Sequence, residues 1–101
     1  MKFDKAIKLM EQGYKLKRTN WNGDDQFVFL VKGETLGRTI EPHYTFDRVD
    51  SNLFRVLFDH NVFSDLLAIK TTSNQIQLGW LASQTDMLSD DWEVIENEQC
   101  N

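Results

Sequence analysis

The sequence predicts an α+β domain: an N-terminal helix packed on a mostly antiparallel β-sheet of about four to five strands, with a short helical turn before the last strand. Three observations carry this reading. Apolar residues recur at helical spacing over residues 3–13. The later apolar segments are short and bounded by turn residues, as strands are. A chain of 101 residues is near the commonest size of one domain.

The elements follow in order. "FDKAIKLMEQG" puts Phe3, Ala6, Ile7 and Met10 on one stripe, with Lys5, Lys8 and Glu11 opposite. Asp4 suits the first turn and Gly13 the C-terminal stop. "YKLKR" alternates as a half-buried strand does. Asn22-Gly23 within "TNWNGDD" is a strong turn signal. "QFVFLVK" is apolar on both faces, which predicts a central strand covered on both sides. "GETLGRTIEPHYTFDRVDSN" holds two glycines and the only proline, and reads as a loop or an excursion from the core. "LFRVLFDH" fits a short helix or a strand. "DLLAIKTT", a turn at "SNQ" and "IQLGWLA" read as a hairpin, with Leu78 and Trp80 on one face. Ser83 followed by Asp86 is a partial capping signature, because Glu or Gln is the usual partner. "WEVI" closes the fold as the last strand, and 96–101 reads as a flexible tail. The whole chain, 1–101, is taken as one domain with a variable insertion at about 32–65.

Composition narrows the function classes. The net charge of −5 argues against a general nucleic-acid binder, which would be basic. No apolar run approaches the about 18–20 residues that span a bilayer. The N-terminus is charged and amphipathic rather than a signal peptide, so a cytoplasmic protein is expected. Cys100 is the only cysteine, which leaves neither an internal disulfide nor a cysteine metal site. Charge is unevenly placed: residues 1–18 carry Lys2, Lys5, Lys8, Lys15, Lys17 and Arg18, while 86–101 carry Asp86, Asp90, Asp91, Glu93, Glu96 and Glu98. The two ends could attract within one chain or between chains, or form two solvated faces.

Nothing local argues for an enzyme. His43 and His60 lack metal-ligand spacing and read as surface histidines. There is no nucleophile elbow and no Gly-rich phosphate loop. Asp86 near Asp90 and Asp91 could bind a cation or form an acid–base pair, but acids beside a short helix are usually caps and solvated charges. Aromatic groups beside amide, hydroxyl and guanidinium groups stand out more. Trp21 lies between Asn20 and Asn22 with Arg18 close by. It is either a lid folded onto the core or a stacking platform for a planar base. Trp80 and Trp92 read as core on spacing alone, and Ser83, Gln84 and Thr85 as capping and turn residues.

These residues also carry a resemblance. Phe3 and Ala6; Trp21, Asn22 and Gly23; then Trp80, Ser83, Gln84, Thr85, Asp86, Met87, Leu88, Asp91 and Trp92 follow the pattern F-x-x-A, W-N-G and W-x-x-S-Q-T-D-M-L-x-x-D-W. That pattern resembles the Thoeris anti-defense 2 family of small phage and prophage proteins. The match spans residues 1–31 and 79–101; the middle, about Lys32 to Asp65, matches nothing placed. Thr19-Asn20 departs from relatives that often carry Lys or Gly before the Trp.

The resemblance implies a sponge that binds a cyclic ADP-ribose isomer, a nucleotide immune signal, and holds it uncleaved. It also implies homotetramers with pockets between subunits, cyclic oligonucleotides as ligands of some relatives, and type II CRISPR inhibition by others. No cofactor, metal, membrane or direct nucleic-acid partner is implied. On this reading Trp21 stacks on adenine and Trp80 closes another side. Asn22, Ser83, Gln84 and Thr85 bond ribose and base edges. Asp86 takes a ribose diol or caps the helix, and Arg18 or Lys17 meets the pyrophosphate. The rival readings are a protein–protein inhibitor using the acidic C-terminal face and a nucleotide hydrolase using Asp86 or Asp91.

Overall fold

In the computed structural model, residues 1–21, 25–47, 56 and 62–99 are described. The first helix, α1 (Phe3–Glu11), forms where the apolar stripe predicts it, with Ala6 and Met10 buried. It stops because Gly13 takes φ +97°, a left-handed conformation open to a residue without Cβ. The Gln12 and Gly13 amides donate to the Leu9 and Met10 carbonyls, both at 3.0 Å, and so satisfy helix-end acceptors.

The chain then enters β1 (Tyr14–Arg18) and, after the Trp21 turn, β2 (Phe27–Val31). The hairpin follows as β3 (Leu66–Lys70) and β4 (Ile76–Leu78), and the last strand is β5 (Trp92–Gln99). The five strands lie in the order β4-β3-β2-β1-β5, so β2 is central, as its two apolar faces predict. β1 runs antiparallel to both β2 and β5, with Leu16 opposite Val28 and Val94. Leu16, Val28, Ile69 and Trp92 join Ala6 and Met10 in one buried cluster. The opposite face of β2 carries Phe27 and Phe29, half-buried, with the Lys15 ammonium 4.9 Å from the Phe27 ring centre. β5 continues to Gln99 opposite Tyr14, past a register break at Tyr14/Lys15, where the sequence suggested a tail.

The chain divides into two compact units, Met1–Leu30 with Leu67–Asn101, and Val31–Leu66. In the second, the segment expected to be a loop forms a helix, α2 (Gly33–Asp47). Its glycines act as close-packing sites rather than breakers. A Cβ on Gly33 would lie 1.9 Å from the Phe63 carbonyl oxygen, and one on Gly37 would lie 3.3 Å from the Phe63 ring. Asp65 Oδ1 accepts from the Gly33 amide at 2.9 Å, and Arg38 pairs with Glu34 one turn earlier at 3.1 Å. Pro42 lies within this helix, so it does not end it. The segment 53–60 lies outside the described residues except Val56, which is helical. No helix among the described residues is long and apolar enough to cross a membrane.

Candidate functional site

The site is built at the end of the sheet where β1 stops and β5 starts. The hairpin sets one wall. Its turn closes with Asn74 at φ 63°, and the Thr71 and Asn74 amides bond Gln75 O and Thr71 O at 2.9 and 3.0 Å. β4 is shorter than the sequence suggests. Gly79 takes φ +85°, and the Gly79 and Trp80 amides both donate to Leu67 O, at 2.9 and 2.7 Å. This is the bonding of a G1 bulge, and it re-aims the next side chain. Trp80 therefore does not share a face with Leu78. Leu78 is 53% exposed, whereas Trp80 packs half-buried against the core.

Trp21 closes a turn in which its amide donates to Arg18 O at 3.0 Å. Its indole stands edge-on to Trp92 (centroids 5.6 Å, 77°) and to Trp80 (6.4 Å, 83°). Trp80 and Trp92 are themselves 6.2 Å apart at 77°. Three mutually perpendicular indoles thus form one cluster, a favoured arrangement of ring quadrupoles. Trp92 is buried, as its spacing predicts, while Trp21 and Trp80 are half-exposed. Trp21 is therefore a lid on the core that still presents indole surface.

Beside the cluster lies the second short helix, α3 (Gln84–Leu88). Its capping box is complete although Asp replaces Glu. Ser83 Oγ accepts from the Asp86 amide, and Asp86 Oδ2 accepts from the Ser83 amide, both at 3.0 Å. The Trp92 indole N–H donates to Asp86 O at 2.8 Å. Gln84 and Thr85 are exposed, and among the described residues their side chains have no hydrogen-bond partner.

Arg18 does not face open solvent. Its Nε and Nη2 donate to the two oxygens of Asp91 at 3.0 and 3.4 Å, and its Nη1 donates to Asp86 Oδ1 at 3.1 Å. The Arg18 and Asp86 side chains are only 14% and 16% exposed. Hydrogen bonding to Asp91 outweighs partial burial and, with Asp86, raises the guanidinium further above its already high value. Burial alone would raise the Asp86 pKa. The Ser83 amide and side chain, then Arg18, overcome that and hold it below the ordinary value. Part of the charge asymmetry of the sequence is thus paired within the chain, where Lys17 also meets Glu93 at 3.5 Å.

The structure thus brings together Arg18, Trp21, Trp80, Ser83 and Asp86, with Gln84 and Thr85 on the same short helix; Asn22 lies outside the described residues. Sequence reasoning missed the part of Asp91, which grips Arg18 and whose carbonyl accepts from the Thr19 amide and hydroxyl at 3.1 and 2.8 Å. The signal was present in the opposite charges of the two ends.

Residues 1–95 match the model of the Thoeris anti-defense 2-like domain. The chain is similar to the protein named Thoeris anti-defense 2 of Bacillus phage SP01, with 32% identity over 95 residues that cover 94% of each chain. The match runs through α2 and the hairpin as well as the two ends that carry the motifs. The chain belongs to the Thoeris anti-defense 2-like family.

Proposed function

We propose that this chain is a phage anti-defense protein that sequesters a nucleotide immune signal of the cyclic ADP-ribose type without cleaving it, in the cytoplasm of the infected cell. The observation that carries the reading is the half-exposed pair Trp21 and Trp80, set edge to face at 6.4 Å, with the unpartnered Gln84 amide and Thr85 hydroxyl on the neighbouring helix. An indole face stacks on adenine, and each stacked base contributes about 1–3 kcal/mol. An amide and a hydroxyl serve base edges and ribose hydroxyls. Ser83 and Asn22 complete the proposed contacts. Family membership supports the anti-defense role, and the name of the phage relative points to the Thoeris system.

A non-catalytic role is supported by Asp86. Both of its carboxylate oxygens are engaged within the chain, Oδ1 by Arg18 and Oδ2 by the Ser83 amide, as in a structural clamp. A homo-oligomer, a tetramer by the family resemblance, would deepen the site. Leu81 and Leu88 are 89% and 85% exposed and flank the site in sequence, apolar surface of the kind that subunit contacts cover. The rival reading, a protein-binding acidic face of Asp90, Asp91 and Glu93, is weakened at Asp91 and Glu93, each paired with a cation of β1, while Asp90 stays exposed.

Capture and release tests the proposal. The purified protein is incubated with cyclic ADP-ribose isomers and cyclic oligonucleotides, stripped of free ligand and denatured, and the released material is chromatographed. Intact nucleotide in near-stoichiometric amount is expected. Empty protein would overturn the proposal, and a cleaved product would replace it with the hydrolase reading.

A further inference from the structure

We infer that Arg18 is a positioning residue for the nucleotide site, acting through Asp86 and Asp91 rather than by touching the ligand's phosphates; this rests on the sequestration reading above. Each of the three guanidinium nitrogens donates to a carboxylate, three of its five N–H groups in all. The fork of Nε and Nη2 spans Asp91, and Nη1 reaches Asp86. A fork matched to a carboxylate in this way is geometrically specific. Turning the Nε–Nη2 fork to a pyrophosphate would require Arg18 to leave Asp91, and Nη1 is already held by Asp86, both carboxylates being partly shielded from water.

What Arg18 does instead follows from the bonds of Asp86. Its Oδ1 accepts from Arg18 and its Oδ2 from the Ser83 amide. Its own amide donates to Ser83 Oγ, and its carbonyl accepts from the Trp92 indole. Gln84 and Thr85 lie between these two anchored residues. Arg18 stands opposite Trp92 in the β1–β5 register, so it ties the helix bearing the polar contacts to the strand bearing the central indole. A five-residue helix is too short to hold its geometry unaided. Removing the clamp would loosen Gln84 and Thr85 relative to Trp21 and Trp80, and the ligand would meet a less ordered wall.

Two measurements on the full chain test this, with Arg18→Gln, Asp91→Asn and the double variant. The first titrates cyclic ADP-ribose as probe. Each single variant should weaken binding about tenfold, and the double variant should be no weaker than the worse single, because one link has been cut twice. Wild-type or tighter binding by Asp91→Asn beside a weakened Arg18→Gln would overturn the inference, since it would mean that a freed Arg18 meets the ligand. So would multiplying effects, or an Arg18→Gln protein that binds normally.

The second reads amide hydrogen exchange at Asp86 and Met87 in the ligand-free protein, where the amides bond Ser83 Oγ and Ser83 O. Exchange about tenfold faster in both single variants is expected if the clamp orders the helix. Unchanged exchange would overturn the inference. If wild-type protein takes up no cyclic ADP-ribose, sequestration of that ligand fails, and the exchange result alone decides whether Arg18 positions the helix. Asp91→Asn keeps the side-chain shape and carries both tests if Arg18→Gln fails to fold.

Discussion

Replacing Trp21 by alanine tests both the packing seen in the structure and the stacking proposed for it, because stability and binding should both fall, by amounts that can be worked out. Trp21 makes edge-to-face contacts with Trp80 and Trp92, each worth about 0.5–1.5 kcal/mol beyond area burial. Half-burial of so large a side chain adds about 1 kcal/mol. The sum is about 2–4 kcal/mol of unfolding free energy, and each kcal/mol should lower Tm by about 4–8 °C for a domain of this size. Loss of a stacking face should weaken nucleotide binding by about 1–3 kcal/mol, or roughly 5- to 150-fold. Urea unfolding followed by Trp fluorescence measures the first term, and calorimetric titration with cyclic ADP-ribose the second. Trp21→Phe keeps a ring and should recover most of both. A folded Trp21→Ala protein with wild-type affinity would refute the stacking role. A stability loss under about 0.5 kcal/mol would refute the packing argument, since it falls below even one ring contact. Should Trp21→Ala fail to fold, Trp21→Phe against wild type still reports whether the ring size sets affinity.

Three further outcomes follow from local geometry. Ser83→Ala removes the acceptor of the Asp86 amide and should cost about 1 kcal/mol in a urea melt. Gly33→Ala forces a Cβ into the Phe63 backbone carbonyl and should cost about 3 kcal/mol. Gly37→Ala meets only a ring edge at 3.3 Å, so the same melt should show it within about 1 kcal/mol of wild type, because the gain in helix propensity offsets the squeeze. Asp86 contributes a pH dependence, because its folded pKa lies below its ordinary 3.8. Its stabilisation is therefore complete above that ordinary value and is lost as pH falls through the lower folded value. Melts from pH 7 down to 5 should show no change from this group, with a fall only at more acid pH, and Asp86→Asn should flatten that fall.

The parts of the fold legible in the sequence were those decided by neighbours in the chain. The α1 stripe, the alternation in β1 and the Asn74 turn each need only a few adjacent residues, and each formed where expected. The capping box at Ser83 and Asp86 was legible for the same reason. α2 was not. Gly33 and Gly37 read as breakers by local propensity, but Phe63, far along the chain, lies against both: its carbonyl leaves no room for a Cβ on Gly33, and its ring crowds one on Gly37. Trp80 failed on a smaller scale. A single bulge at Gly79 moved it off the strand face, and period-2 reasoning has no means to place an extra residue. At the candidate site, Trp21 and Trp80 stood out in the sequence as aromatic groups beside polar ones, and the structure sets their rings edge to face. The partner of Arg18 was hidden by the separation of 73 residues from Asp91, a distance over which only bulk charge asymmetry gave a hint.

The run Ser83–Trp92 shows why a family motif does not translate directly into a list of ligand contacts. Ser83 and Asp86 are joined to each other, Asp86 and Asp91 hold Arg18, and Trp92 bonds Asp86 O while filling the core. Four of the motif's most distinctive residues are therefore engaged in internal bonds. Gln84 and Thr85 keep exposed polar side chains with no hydrogen-bond partner among the described residues, and they sit between the two ends of the capping box. The motif first encodes a frame that fixes a short helix against an indole cluster. On the proposed function, the ligand would then be met by the exposed amide and hydroxyl of this helix together with the half-exposed tryptophans. On this logic, substitutions in the frame should change affinity together with amide exchange of α3. Substitutions at Gln84 or Thr85 should change affinity alone, and that contrast separates building the site from touching the ligand.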